Sequence, residues 1–293
     1  MSTIDVITVF DHRTEGYAKV LAGTGELLKS NKHAVNWLCV TLGKCKVPKI
    51  FNEVANVQYS ASSGYKHAYC LEKGLEKATA PYVIISDVDN SLLLRNWDDL
   101  LFKKLSDKTP IVGFEWGKQY EKECYQNFPC VVFCLFNRKI FDSLNINLYQ
   151  GTRRDPSVCT RILKNEKLAN IFGHKKGDKF LLETAWRMPY AYLRHGYNGH
   201  ALKKIVPFAK KQKRKSILLN LGSQKMQKWM AKKAKSGANV MHEFYLDDKL
   251  FASHLRRSRK YPSTSRMGQL WIQKIMQYMQ IVNNTYFNPV SLK

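Results

Sequence analysis

The sequence predicts an α/β protein with an open, mostly parallel sheet that is flanked by helices. In the first half of the chain, short apolar runs alternate with segments of helical spacing, and this rhythm is typical of parallel strands joined by helical crossovers. The chain has 293 residues, of which 44% are hydrophobic, and can therefore bury a substantial core. We expect one large domain, or one domain with an appendage.

The predicted elements follow one another at short intervals. In chain order they are a strand at 4–10, a helix at 15–30, a strand at 37–41, a helix that opens with a serine cap at 62 and closes before Pro81, strands at 82–86, 111–114 and 131–136, and helices at 137–144 and 268–282. The run at 82–86, YVIIS, is apolar and bounded by turn signals. It therefore indicates a central strand that is buried on both faces.

Two carboxylates, Asp87 and Asp89, directly follow this strand in the stretch 82-YVIISDVDNSLLL-94. Ligands of open parallel sheets bind beyond the carboxyl ends of the strands, so this pair is the first candidate for a functional site. Two classes of enzyme use such a pattern, a metal-dependent sugar transferase and a phosphatase with an aspartyl nucleophile.

The phosphatase interpretation uses the similarity of DVDNSLL to the motif of haloacid-dehalogenase-like phosphatases. In that family the first aspartate attacks phosphorus, the second acts as acid and base, and a later aspartate pair holds magnesium. Asp247 and Asp248 could supply the later pair. However, the phosphatase motif normally lies on the first strand of its fold, whereas more than 80 residues precede Asp87 here.

The transferase interpretation starts from the chemistry of a nucleotide sugar. Cleavage of the glycosyl–phosphate bond develops negative charge on the nucleoside diphosphate, and a divalent cation bridging the two phosphates stabilises that charge. Carboxylate oxygens are suitable ligands for Mn²⁺ or Mg²⁺. Two carboxylates one residue apart beyond a strand can reach one metal ion directly or through water.

Several segments, in order, resemble GT-A-type nucleotide-sugar glycosyltransferases, from about Ile4 to about Arg259. They are ITVFDHR at 7–13, the glycine-containing helix that leads to Asp87-Val88-Asp89, the stretch 178-DKFLLETAWRMPYAYLRHGYNG-199, which is similar to the D-T-x-W segment of family-2-like members, and 244-FYLDDKLFASHLRRSRK-260. The resemblance implies a GT-A-like, Rossmann-type fold, a UDP-sugar as donor and a Mn²⁺ or Mg²⁺ ion held by Asp87, Asp89 and His254.

The resemblance also implies roles for other residues. Glu183 stands where the family more often has aspartate and would act as the base of an inverting reaction, with Asp178, Asp155 and Glu115 as alternatives. Burial beside Trp186 would raise the pKa of Glu183 and suit that role. The residues expected to bind the nucleotide sugar are Phe10, Asp11, Arg13, Lys66, Asp87, Val88, Arg256 and Arg257.

The charge of the chain points to the acceptor. Lys and Arg total 48 against 23 Asp and Glu, which gives a formal charge of +25, and such an excess predicts a polyanionic partner. No carboxylate occurs from Thr184 to His242. We expect DNA as the acceptor, at a hydroxymethylated base, contacted by Arg194, His195, Lys203, Lys204, Lys210, Lys211, Lys213, Arg214, Lys215 and Trp229.

Other interpretations stay open. The acceptor could instead be a glycan or a lipid-linked molecule at an anionic membrane surface, or the chain could be a nucleic-acid-binding protein with an inactive site.

Residues 1–200 would form the catalytic core and 201–293 a basic, acceptor-side extension. The seven cysteines form no C-x-x-C pair, so we expect reduced thiols in a cytoplasmic protein, in the host cytoplasm if it is viral. Nothing in the sequence implies a protein partner.

Overall fold

The structure is a computed structural model that describes residues 1–58, 66–115, 128–148, 164–166, 169, 184–205, 216–221, 228, 241–256, 258 and 260–287. Within these ranges, one cluster of buried apolar side chains connects the sheet with the helices packed on it. No helix in the described part of the chain has both the length and the apolar character that crossing a membrane requires.

The amino-terminal elements alternate between strand and helix. They are β1 (Ser2–Asp11), α1 (Glu15–Leu28), β2 (His33–Leu42), β3 (Phe51–Val57), α2 (Lys66–Lys77) and β4 (Tyr82–Ser86). β1 is rich in Val, Ile and Thr, which pack well on a pleated surface, and residues 4–11 of it are all buried. The predicted strands at 4–10 and 82–86 are therefore confirmed, as is the helix at 15–30 to within two residues at its end.

The middle and carboxy-terminal elements are shorter. They are β5 (Asn90–Leu92), α3 (Trp97–Phe102), β6 (Ile111–Phe114), β7 (Phe133–Asn137), α4 (Arg138–Ser143), α5 (Arg187–Arg194), β8 (Gly199–Ile205), α6 (Ile217–Asn220), β9 (Met241–Leu246), β10 (Lys249–Leu255) and α7 (Arg266–Ile281). Side-chain caps begin two of these helices: Asn137 accepts from the backbone N–H of Ile140, and Ser265 accepts from that of Gly268.

The strands form one sheet in the order β3-β2-β1-β4-β7-β6-β8-β9-β10-β5. β3, β2, β1 and β4 are parallel neighbours. Beyond β4, however, the sheet is mixed, and five of the nine ladders among the described strands are antiparallel. The α/β class is thus confirmed, whereas a mostly parallel sheet is correct only for the first four strands.

Two features produce the antiparallel half. β7 enters the sheet between β4 and β6 and runs against both. β9 and β10 are joined by the two-residue turn Asp247-Asp248, with φ of 46° and 62°, and such a tight connection makes an antiparallel hairpin.

Residue 200 lies inside β8, and β9 and β10 belong to the same sheet. The division of the chain at residue 200 stays a prediction.

Candidate metal and nucleotide-sugar site

The loop that carries the two aspartates is held by hydrogen bonds on both sides. The backbone N–H of Asp87 donates to the carbonyl of Val132 at 2.8 Å, and the buried Asn90 side chain donates to the same carbonyl at 2.6 Å. On the other side, the carbonyl of Asp89 accepts from the backbone N–H of Leu255 at 2.9 Å. The loop after β4 is therefore fixed to the start of β7 and to the end of β10.

The pairing of β5 with β10 brings His254 to this loop. β5 begins one residue after Asp89, and its first residue, Asn90, lies opposite His254 in the antiparallel ladder. As a result, His254 Nε2 lies 3.3 Å from Asp89 Oδ1 and 3.9 Å from Asp87 Oδ2. One donor atom from each of the three residues lies within 4.8 Å of the others. We call Asp87, Asp89 and His254 the triad.

The environment of the triad suits a divalent cation. Asp89 and His254 are only 5% and 3% exposed, and within the described residues the only ion pairs of Asp87 and Asp89 are with histidines. Closely spaced buried carboxylates are unfavourable without a compensating charge. A metal ion bound by two carboxylate oxygens and an imidazole nitrogen would supply that charge. The imidazole fits Mn²⁺ better than Mg²⁺, which prefers oxygen ligands throughout.

The triad lies in a cleft of about 370 Å³, a volume within the usual range of small-molecule sites. Of the residues predicted to bind a nucleotide sugar, Phe10, Asp87, Val88 and Arg256 line this cleft. Four further lining residues were not predicted from the sequence. These are Val9, Thr14, His67 and Ser258. His67 directly follows the predicted Lys66, but the local sequence pattern does not indicate which of the two side chains lines the cleft.

The predicted nucleotide-binding residues Asp11 and Arg13 bind each other. The buried Asp11 carboxylate accepts from the backbone N–H of Arg13 at 3.0 Å and from its Nη2 at 2.8 Å. Thr14 also contacts Asp11 Oδ1, at 3.2 Å, so these contacts shape the turn between β1 and α1. Arg13 lines a neighbouring depression of about 530 Å³ between α1 and α7. A direct role of Asp11 or Arg13 toward the nucleotide stays a prediction.

Several other predicted residues do not line the cleft. Arg194 and His195 lie at the end of α5, and His195 Nδ1 is 2.9 Å from the carbonyl of Ala191. Lys203 and Lys204 lie on β8, the first exposed and the second half-buried. The remaining predictions fall outside the described residues. They are Asp155, Asp178, Glu183, Lys210, Lys211, Lys213, Arg214, Lys215, Trp229 and Arg257, together with the side chain of Lys66.

Two further ionisable residues belong to the same edge of the sheet. Glu115 follows β6, whose direction matches that of β4 because both strands are antiparallel to β7. Burial raises the pKa of Glu115, although its carboxylate accepts the backbone N–H of Lys204 at 3.2 Å. His242 lies opposite His254 on β9, with the ring centroids 5.6 Å apart. Burial lowers the pKa of His242 well below its usual value, so its imidazole is neutral at pH 7.

The geometry argues against the phosphatase interpretation. Asp87 follows the fourth strand in chain order, not the first. Asp247 and Asp248 form the turn between β9 and β10, whereas His254 lies at the other end of β10. Six residues of extended chain separate Asp248 from His254, a distance of about 20 Å. The second aspartate pair therefore cannot share a magnesium ion with Asp87.

No protein-family model and no curated protein matches the sequence. One solved structure that is similar in part is a mutant Drosophila β1,4-galactosyltransferase 7 in complex with manganese, UDP-Gal and xylobiose. The identity is 16% and the TM-score 0.35, and the match covers 51% of this chain and 55% of that chain. This partial likeness does not by itself assign an activity.

Proposed function

We propose that this protein is a metal-dependent glycosyltransferase that moves a sugar from a nucleoside-diphosphate sugar to a hydroxyl group. One observation carries the proposal: the triad joins two carboxylates and an imidazole at the floor of a cleft that also contains Arg256. The resemblance of the surrounding segments to GT-A-type transferases supports the same function. Within this proposal, the metal ion is Mn²⁺ and the donor is a UDP-sugar.

Each part of the cleft would have a distinct task. A divalent ion bound at the triad would stabilise the negative charge that develops on the diphosphate. The guanidinium of Arg256 would bind phosphate oxygens through charge-assisted hydrogen bonds, with Arg257 beside it in the sequence. The apolar side chains of Phe10 and Val9 would contact the nucleoside. The buried floor would restrict access of water to the reacting carbon.

The transfer itself requires a base. In an inverting displacement the acceptor oxygen forms the new bond to the anomeric carbon as the bond from that carbon to phosphate breaks. The bond electrons leave with the nucleoside diphosphate, and a carboxylate accepts the proton of the acceptor hydroxyl. We propose Glu183 for this role, with Asp178 or Asp155 as alternatives. Glu115 is a further alternative, because its raised pKa makes it a stronger base than an ordinary glutamate.

The proposed acceptor is DNA that carries a hydroxymethylated base. Its support is the formal charge of +25 and the absence of carboxylates between Thr184 and His242. The base would have to leave the stack to reach a site at the floor of a cleft. A glycan or lipid-linked acceptor at an anionic membrane surface is the alternative that the same charge permits.

The test is release of nucleoside diphosphate from a panel of nucleotide sugars in the presence of Mn²⁺. Each donor is incubated without acceptor, with plain duplex DNA, and with duplex DNA that contains hydroxymethylcytosine. We expect release that only the modified duplex stimulates. Release that is indifferent to DNA would retain the transferase and move the acceptor to glycans or lipids. No release from any donor, together with no binding of Mn²⁺, would contradict the proposed function.

A further inference from the structure

We infer that His67 is a positioning residue of the metal site, which holds the Asp87 carboxylate from the side opposite His254. The inference rests on the proposed function, because it assigns a role toward the same ion. His67 Nε2 lies 3.4 Å from Asp87 Oδ1, whereas His254 Nε2 lies 3.9 Å from Asp87 Oδ2. Each oxygen of the Asp87 carboxylate therefore faces its own imidazole.

The geometry separates the role of His67 from that of a metal ligand. Within the described residues, the group whose donor atoms all lie within 4.8 Å of one another contains Asp87, Asp89 and His254 but not His67. His67 is thus outside the set that can surround one ion. An ion bound through Asp87 Oδ2 would leave Oδ1 available to accept a hydrogen bond, and the Nε2 of His67 lies 3.4 Å from that oxygen.

Asp87 is also the carboxylate that most needs such a contact. Its side chain is 25% exposed, against 8% for Asp89, so its orientation is less restricted by packing. Hydrogen bonds to a metal-binding carboxylate fix its orientation, and loss of such a contact typically weakens metal affinity about 10- to 100-fold. The less buried aspartate therefore depends on His67, while Asp89 is already confined by its surroundings.

The rest of α2 holds His67 in place. His67 lies in the first turn of the helix, and the residues that follow on the inner face, Ala68, Cys70 and Leu71, are at most 2% exposed. The side chain of His67 is 37% exposed and lines the cleft. A packed helix thus presents a partly solvated imidazole to the site. Substituting this imidazole removes the contact to Asp87 without opening the core.

The experiment measures Mn²⁺ affinity by calorimetric titration of the full-length protein, without any sugar donor. We expect His67→Ala to weaken the Kd for Mn²⁺ about 10- to 100-fold. His67→Gln retains an N–H donor and should weaken the Kd less than His67→Ala does, because the contact to Asp87 is kept. Tyr69→Ala is the matched control, because Tyr69 is 48% exposed on the same helix and does not line the cleft. Its Kd should be unchanged.

The outcomes separate this inference from the proposed function. A parent protein that neither binds Mn²⁺ nor releases nucleoside diphosphate from any donor would contradict the proposed function itself. A parent that binds and a His67→Ala variant that binds equally well would overturn only the role of His67. Equal weakening in the Ala and Gln variants would also overturn it. If both variants also keep the parental melting temperature in EDTA, equal weakening would make His67 a metal ligand. If their melting temperature is lowered, it would make His67 a structural residue.

Discussion

The chain contains two pairs of aspartates that lie close together in sequence but have opposite structural environments. Asp87 and Asp89 follow a buried strand, and within the described residues their ion pairs are with histidines only. Asp247 and Asp248 form a hairpin turn, and Asp247 pairs with Lys104 at 2.7 Å. The first pair lies in a cleft with an imidazole between its carboxylates. The second pair lies on the protein surface, where a lysine already compensates one of the charges.

Two aspartates that are close in sequence do not by themselves make an environment that suits a metal ion. Asp247 is 64% exposed in its ion pair, and water and Lys104 compensate its charge without a metal ion. The hydrogen bond from Lys104 lowers the pKa of Asp247, which makes the carboxylate a stable anion. Within the described residues, Asp87 and Asp89 pair only with imidazoles, and their side chains are 25% and 8% exposed. Burial without a fixed cation is the property that favours metal binding.

The largest expected difference between the pairs is in catalysis. Asp89→Asn should lower the rate of sugar transfer about 100- to 1,000-fold, because metal stabilisation of the leaving group contributes several kcal/mol. Asp248→Asn should leave the rate unchanged, since that residue lies about 20 Å of extended chain from His254. The measurement is nucleoside-diphosphate release at saturating Mn²⁺. Equal rates in the parent and the Asp89→Asn variant would remove the metal assignment.

The imidazole of the triad should have the next largest effect. His254→Gln removes the proposed imidazole ligand, which lies 165 residues from Asp89 in the sequence, and we expect the Kd for Mn²⁺ to weaken about 100-fold. His195→Gln is the control, because His195 is exposed and does not line the cleft. Calorimetric titration in the absence of donor gives both constants. A His254→Gln variant with parental affinity would limit the metal site to the two aspartates.

Stability should respond to Mn²⁺ at one pair only. Mn²⁺ at 100 times its Kd should stabilise the parent by about 2.7 kcal/mol, as expected for a ligand that binds the folded state. Asp89→Asn should abolish this increase, and in EDTA the variant should unfold at or above the parental temperature, because it relieves the repulsion between two adjacent carboxylates. Asp248→Asn should retain the full increase. Thermal unfolding with and without Mn²⁺ decides the matter, and a parental increase in Asp89→Asn would contradict the assignment.

The first pair and its strand could be predicted from local pattern. The apolar run YVIIS ends directly at Asp87, and period and composition identify a buried strand without reference to the rest of the chain. The turn at Asp247-Asp248 could not, because two-residue hairpins usually contain glycine or asparagine at the positions with positive φ. Its aspartates therefore looked like candidates for a magnesium pair.

The convergence on the triad depends on long-range pairing that local pattern does not encode. β5 has only three residues, Asn90–Leu92, and a strand of that length has no measurable period. Its register with β10 places His254 beside Asp89, and a shift of one residue would turn His254 to the other face. The sequence indicated His254 only through its resemblance to a closing segment of GT-A-type transferases. His67 had no such signal.

The smallest expected effect concerns the backbone of the second pair. Asp248 has a φ of 62°, a conformation that glycine adopts readily and that a β-branched residue adopts only with strain. Asp248→Gly should raise the melting temperature by about 1–3 °C, and Asp248→Val should lower it by a similar or larger amount. Neither change should alter the Kd for Mn²⁺, because the turn and the triad lie at opposite ends of β10. A changed Kd would mean that the hairpin transmits its strain to His254, and the two aspartate pairs would then be coupled through β10.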